Sequence, residues 1–256
     1  MIRGVLLDIA GVVHEGGAAI PGAPEAVARL REAGLSLRFV TNTTRTPKRA
    51  VVARLREMGV AAGDDDVATP AALACDWLAR EGYAPHLLVH PDLAEDFAGC
   101  PDAPRQAVVL GDAGEGFTYD ALNAAFRRIA AGAPFLALAA NRVFRDADGA
   151  LSLDAGAFVR ALEHASGVEA RVLGKPSAEF FGGAVAGLGC APEEAAMVGD
   201  DAEADVAGAR AAGLGLGILV RTGKYRAGDE TAHAPPPDAV VGDLAEAADL
   251  ILARAA

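Results

Sequence analysis

Apolar positions along the chain gather into short unbroken runs separated by amphipathic stretches, and this alternation predicts strands followed by helices. Over the first seventy residues the order is a strand at Gly4 to Leu7, a helix from Gly22 to Ala33, a strand from Leu35 to Thr41 and a helix from Pro47 to Met58. In the first helix Ala26, Val27, Leu30 and Ala33 recur at helical spacing, while Glu25, Arg29 and Glu32 fall mostly on another face. Gly34 and Gly59 supply the stops. Strands that alternate with helices imply a parallel sheet with right-handed crossovers, so the fold class is α/β with a Rossmann-like parallel-sheet core.

The same grammar returns toward the other end. It runs through Arg171 to Gly174, Glu179 to Leu188, Ala196 to Val198, Ala204 to Ala212 and Leu216 to Val220, with a last helix from about Leu244 to Ala255. The stretch between has strands and helices of its own at Leu87 to His90, Ala107 to Leu110, Tyr119 to Ala131, Phe135 to Ala139 and Ala155 to Ala165. It reads as an inserted, smaller α/β domain over residues 75–169, with residues 1–74 and 170–256 forming the core. Pro70 and Gly174-Lys175-Pro176 punctuate the two junctions as hinges, and residues 227–238 read as a surface loop.

At 256 residues and 52% hydrophobic content, the chain has ample material for such a core and its insertion. A formal net charge of -12 argues against a surface of clustered Lys and Arg such as a phosphate backbone demands, so no nucleic acid partner is expected. The longest uncharged runs, such as Phe180 to Pro192, fall short of the roughly 18 residues that span a bilayer, and no membrane partner is expected either. Met1-Ile2-Arg3 leads straight into a strand without the organisation of a signal peptide, which points to the cytoplasm. Cys75, Cys100 and Cys190 are odd in number and include no CxxC pair, so they read as free structural thiols. His86 and His90 are four apart, but Pro85 and Pro91 oppose the helix that would make them a metal pair. Arg221-Thr222-Gly223-Lys224 lacks the following Ser or Thr of a nucleotide-binding P-loop and reads as a substrate-side loop or none.

Candidate chemistry sits at or just beyond the predicted strand ends: Asp8, Thr41-Asn42, Lys175, and Asp200-Asp201 with Asp205. In a parallel sheet those ends collect on one edge, where α/β folds place their ligands. Singly, each has an ordinary reading as a turn or a helix cap. As an ordered set they resemble the four motifs of the haloacid dehalogenase superfamily, over nearly the whole chain. The place of the insertion, between Thr41-Asn42 and Lys175, matches the subclass with the larger α/β cap. Finer similarity lies in Gly4-Val5-Leu6-Leu7-Asp8-Ile9-Ala10-Gly11-Val12, Leu153-Asp154-Ala155-Gly156, Gly174-Lys175-Pro176-Ser177-Ala178-Glu179-Phe180-Phe181, and the segment from Gly199-Asp200-Asp201 to Lys224-Tyr225. These stretches resemble the phospholysine phosphohistidine inorganic pyrophosphate phosphatases and the related domain-containing hydrolases.

The resemblance implies an aspartate nucleophile and Mg2+. Asp8 would attack phosphorus to form an aspartyl-phosphate. The Asp8 carboxylate, the Ala10 backbone carbonyl and the Asp200 carboxylate would hold Mg2+, with Asp205 behind them holding a metal-bound water or Lys175, and Asp201 either doing the same or only capping the helix that follows. Ala10, Thr41, Asn42 and Lys175 would line the phosphate, Lys175 offsetting its charge. Most phosphatases of the superfamily carry a second aspartate two residues after the nucleophile, which protonates the leaving oxygen. Here that residue is Ala10. The implied activity is therefore hydrolysis of pyrophosphate, P–N phosphoramidates or other small phosphates with good leaving groups. Two alternatives stand beside it: a general phosphomonoesterase that takes its acid from the cap or from His14, and a non-catalytic phosphate-binding protein. A small phosphorylated substrate is the expected partner; similar proteins often dimerise through the cap, which leaves a homodimer of that kind open for this chain.

Overall fold

All five residues of Gly4–Asp8, β1, are buried, as a strand covered on both faces of a parallel sheet requires. In this computed structural model, which describes residues 1–145 and 149–255, the chain continues through β2 (His14–Glu15), β3 (Ala18–Ala19), α1 (Ala23–Glu32), β4 (Ser36–Val40), α2 (Lys48–Glu57) and β5 (Val67–Ala68). Then come α3 (Pro70–Glu81), β6 (Ala84–Leu88), β7 (Gln106–Leu110), α4 (Tyr119–Ala130), β8 (Phe135–Ala137), β9 (Val143–Arg145), β10 (Leu151–Leu153), α5 (Ala155–Ser166) and β11 (Arg171–Val172). Next are α6 (Ala178–Ala186), β12 (Ala195–Gly199), a π-helical turn at Ala202–Ala207 that runs into α7 (Gly208–Ala211), β13 (Leu216–Val220), β14 (Ala239–Val241) and α8 (Leu244–Ala255).

Two units separate by their internal contacts. The first comprises Met1–Thr41, Arg49–Ala68 and Lys175–Ala256, and the second Asn42–Lys48 and Thr69–Gly174. The first holds the six-stranded sheet, in the order β14-β13-β12-β1-β4-β5, with every pairing parallel. Val5 and Leu7 of β1 join Val27 and Leu30 of α1 and Ala247, Ala248 and Ile251 of α8 in the main core cluster. Register decides what stands at the carboxyl edge. Leu7 pairs with Val198 and Asp8 with Val40, so Asp8, Thr41 and Asp200 emerge side by side.

The second unit is built on a parallel sheet in the order β11-β8-β7-β6, with apolar clusters around Leu78 and Phe97 and around Ile129 and Val159. Two sequence expectations change here. The sequence pattern assigns Arg171 to Gly174 to the grammar of the core, but β11 pairs with β8 in this second sheet. Short apolar strands of two parallel sheets are indistinguishable by pattern alone. The strand expected at Leu87 to His90 instead begins at Ala84 and includes Pro85, which an edge strand tolerates, while His90 caps a 3-10 turn.

Pro70, expected at a hinge, occupies the first turn of α3, where its missing N–H costs nothing, and the Thr69 hydroxyl accepts from Ala72 N–H at 3.1 Å. The 74/75 boundary would cut this helix, which lies whole in the second unit. Among the described residues no helix is long and apolar enough to cross a membrane.

Candidate active site

Asp8, Lys175, Asp200 and Asp205 are charged side chains that the fold takes almost entirely out of water, each 7% exposed or less. Burying isolated ions costs several kcal/mol apiece, so such a group persists only when its members answer one another. Lys175 Nζ donates to Asp8 Oδ1 at 2.5 Å and to Asp205 Oδ1 at 2.6 Å. Burial pulls the Lys175 ammonium toward neutrality, but its pairs with Asp205 and Asp8 outweigh that and raise its pKa above the ordinary lysine value.

The supporting residues come from two loops. Asp201 N-caps the π-helical turn, its Oδ1 accepting from Ala204 N–H at 2.9 Å and from Glu203 N–H at 3.2 Å. Its own N–H donates to Asp205 Oδ2 at 3.1 Å. Both oxygens of Asp205 are thereby engaged. The loop after β13 closes the other side. Lys224 N–H donates to Asp200 Oδ2 at 2.7 Å, Gly223 N–H to Glu15 Oε1 at 2.6 Å, and the Thr222 hydroxyl to the Gly11 carbonyl at 2.5 Å. Gly11 and Gly223 have φ of 81° and 65°, and a Cβ on either would fall well inside contact distance of Asp200 Oδ2. Any side chain there would displace Asp200.

Oδ1 of Asp200 is buried and has no hydrogen-bond partner among the described residues. One oxygen from each of Asp8, Asp200 and Asp205 lies within 4.8 Å of the others. Lys224 Nζ pairs with Asp201 Oδ2 at 3.3 Å, so four carboxylates face two ammoniums, an excess of two negative charges. An orphaned buried carboxylate oxygen and a surplus of two charges fit a divalent cation with oxygen ligands. With both its oxygens taken, Asp205 is placed to hold Lys175, and the free oxygen belongs to Asp200.

Two family models match the chain, a haloacid dehalogenase-like hydrolase model over residues 5–100 and a HAD-hydrolase-like model over residues 172–247. The protein belongs to the haloacid dehalogenase-like hydrolases. It is 45% identical over 251 residues to the human (Homo sapiens) haloacid dehalogenase-like hydrolase domain-containing protein 2, covering 98% of this chain and 96% of that one. Phospholysine phosphohistidine inorganic pyrophosphate phosphatase from Rattus norvegicus is 41% identical over 257 residues, covering 98% and 94%. Among solved structures, a glycerol phosphate phosphatase from Mycobacterium tuberculosis in complex with magnesium superposes with a TM-score of 0.82 at 30% identity, covering 95% of this chain and 75% of that one.

Within this hydrolase, Lys175 departs from the expected route to the site. It follows a strand of the second sheet and reaches Asp8 from the connection that leads into α6, not from the end of a core strand. Thr41 sits one residue past the register partner of Asp8, whereas Asn42 falls in the second unit, with its side-chain oxygen against Gly174. Ala10 is exposed and bridges to His14, whose carbonyl accepts from Gly11 N–H at 2.7 Å. Burial, and then Arg54, lower the His14 pKa below the ordinary imidazole value, which works against its holding a proton at neutral pH. The loop Arg221 to Tyr225 is the part of the site that sequence reasoning undervalued. Its sequence signal was its inclusion in the stretch of family resemblance that ends at Lys224-Tyr225, while the Thr222-Gly223-Lys224 run fails as a P-loop.

Burial pushes the Asp200 and Asp205 carboxyls up to about 6, Lys175 tempering the rise at Asp205. A carboxyl whose folded pKa lies above its unfolded value of 3.8 binds more protons folded than unfolded between those limits. Without a cation, its contribution to stability is therefore lost as pH rises from about 4 to about 6, on the order of 2–3 kcal/mol for one such group. A cation competes with those protons. Any increase in Tm on adding a divalent cation should be small at pH 5 and reach full size above pH 7. Thermal melts across that range check this, and a pH-independent increase would contradict it.

Proposed function

We propose that the protein is a Mg2+-dependent phosphatase in which Asp8 attacks phosphorus and is transiently phosphorylated. The observation that carries this reading is the buried Asp8–Lys175–Asp205 array beside the unpartnered oxygen of Asp200. Asp8, Asp200 and the Ala10 carbonyl would hold Mg2+. When bound, the cation neutralises the approach of an anionic substrate to an anionic nucleophile and polarises the phosphoryl oxygens.

The chain's own groups do the rest. An oxygen of Asp8 forms a bond to phosphorus as the bond to the leaving oxygen or nitrogen breaks, and water then cleaves the acyl phosphate to release inorganic phosphate and restore Asp8. Lys175 keeps Asp8 oriented and its ammonium offsets charge on the transferring oxygens. Asp205 fixes that ammonium from behind, and Asp201 fixes Asp205. Thr41 supplies a hydroxyl donor at the neighbouring strand end, with the Asn42 amide next in sequence.

Ala10 sets the substrate class. Without a carboxylic acid there, the site donates no proton to the leaving group, which favours pyrophosphate and aryl phosphates, whose leaving groups are stable anions, and P–N bonds whose nitrogen has already taken a proton from solvent, over alkyl esters. The lowered pKa of His14 supports this over a reading in which His14 replaces the acid. The magnesium-bound glycerol phosphate phosphatase and the inorganic pyrophosphate phosphatase among similar proteins support the reaction class. Assay of phosphate release from pyrophosphate, p-nitrophenyl phosphate and glycerol phosphate, with Mg2+ and with chelator, tests the reading. Turnover of the first two that needs the metal and far exceeds the third is expected. Metal-independent turnover, or Mg2+-dependent ligand binding without turnover across the panel, would overturn it.

A further inference from the structure

Cys75 and Cys100, read from sequence as unrelated thiols, stand with their sulfurs 2.9 Å apart in the second unit. Cys75 lies in the middle of α3, and Cys100 lies just past the 3-10 turn Pro91–Phe97, its N–H donating to the Phe97 carbonyl at 3.0 Å. Each is free and half-buried, and both pack against the cluster that holds Leu78, Leu93 and Phe97. The Cys100 thiol donates to Cys75 Sγ, and the Cys75 thiol donates to the Asp96 carbonyl at 3.3 Å. Two anchored backbones thus present their sulfurs to each other across 25 residues of sequence. A covalent S–S bond is about 2.05 Å long, so closure needs a sulfur displacement of only about 0.9 Å.

We propose that Cys75 and Cys100 form a redox-active dithiol, which low-molecular-weight disulfides of the glutathione type convert reversibly to an intramolecular disulfide. Cys100, the less buried of the two, loses its proton and attacks one sulfur of the small disulfide. A mixed disulfide forms and one small thiol leaves, carrying the proton lost by Cys100. Cys75 then loses its proton and attacks Cys100 Sγ, forming the Cys75–Cys100 bond and expelling the second small thiol. Two S–H bonds are exchanged for one S–S bond in the protein, and the two electrons reside in the two small thiols released. Excess thiol runs both steps backward.

Burial raises the pKa of both thiols, and Asp76 adds to the effect at each, so both are protonated at neutral pH and their oxidation is slow. The bond would tie α3 to the segment that carries Asp96. The Asp96 carboxylate accepts the Lys48 N–H at 3.1 Å, so the cross-link would close beside a contact that holds the residues after Thr41.

The test uses the full chain. The folded protein is treated with oxidised glutathione, its remaining thiols are alkylated, and peptides are mapped by mass spectrometry. The expected result is a Cys75–Cys100 cross-link, an intact mass lower by two hydrogens, Cys190 alkylated, and all three thiols recovered with dithiothreitol. Cys100→Ser and Cys75→Ser should each abolish the cross-link, while Cys190→Ser should leave it intact. Free alkylation of both Cys75 and Cys100 after oxidant, persistent glutathione adducts on either, or a bond that includes Cys190 would overturn the proposal.

Discussion

Asp8→Asn should reduce phosphate release from every substrate by on the order of 10⁴-fold or more, because the proposed reaction passes the phosphoryl group through the Asp8 carboxylate. The loss should not come from unfolding. The substituted amide keeps an oxygen that can accept from Lys175 Nζ, and Lys175 keeps its pair with Asp205. Removing one carboxylate also removes the repulsion that Asp200 exerts on Asp8. Steady-state rates with pyrophosphate and p-nitrophenyl phosphate, beside thermal melts of both proteins, check the pair of expectations. Unchanged turnover would take the nucleophile away from Asp8, and a collapsed melt would place it among residues needed for folding.

Ala10→Asp should raise turnover of alkyl phosphates by about 10²- to 10⁴-fold, the range of positioned general acid catalysis. Ala10 is exposed, so a carboxyl there meets no packing obstacle. The backbone carbonyl at that position is unaltered by the swap, and the proposed dependence on Mg2+ should persist. Pyrophosphate and aryl phosphates should gain little, since their leaving groups depart without a proton. A plot of log rate against leaving-group pKa should therefore be steep for the natural protein and shallow for the variant. A variant that is no better on glycerol phosphate would contradict the assignment of position 10 as the place of the missing acid.

The fold was legible where local pattern and burial agree. β1, α1, α2 and α8 lie within a residue or so of where hydrophobic periodicity puts them, because each buries one contiguous apolar face or run in the same core. Sheet membership was not legible for β11, since two residues of apolar strand carry no mark of which parallel sheet they join. The short edge strand β14 escapes the pattern for a similar reason, three half-buried residues beside a polar loop.

For the site, Asp8 and Asp200 stand out in the sequence because each comes at the end of a short apolar run, and the fold buries both runs as strands of one parallel sheet. The grip of the Gly223-Lys224 backbone on Asp200 could not be read, because it acts through amide groups that any residue carries. The meeting of Cys75 with Cys100 depends on how α3 packs on the segment after Phe97, and no spacing rule encodes that.

The central claim is that phosphate passes through Asp8. Acid quenching during turnover of pyrophosphate, followed by digestion and mass spectrometry of the fragment that contains Asp8, tests it directly. The account predicts a fraction of that peptide heavier by one phosphoryl group, dependent on Mg2+ and absent from Asp8→Asn. Sustained turnover with no adduct on Asp8, or with the adduct on another residue, would contradict it.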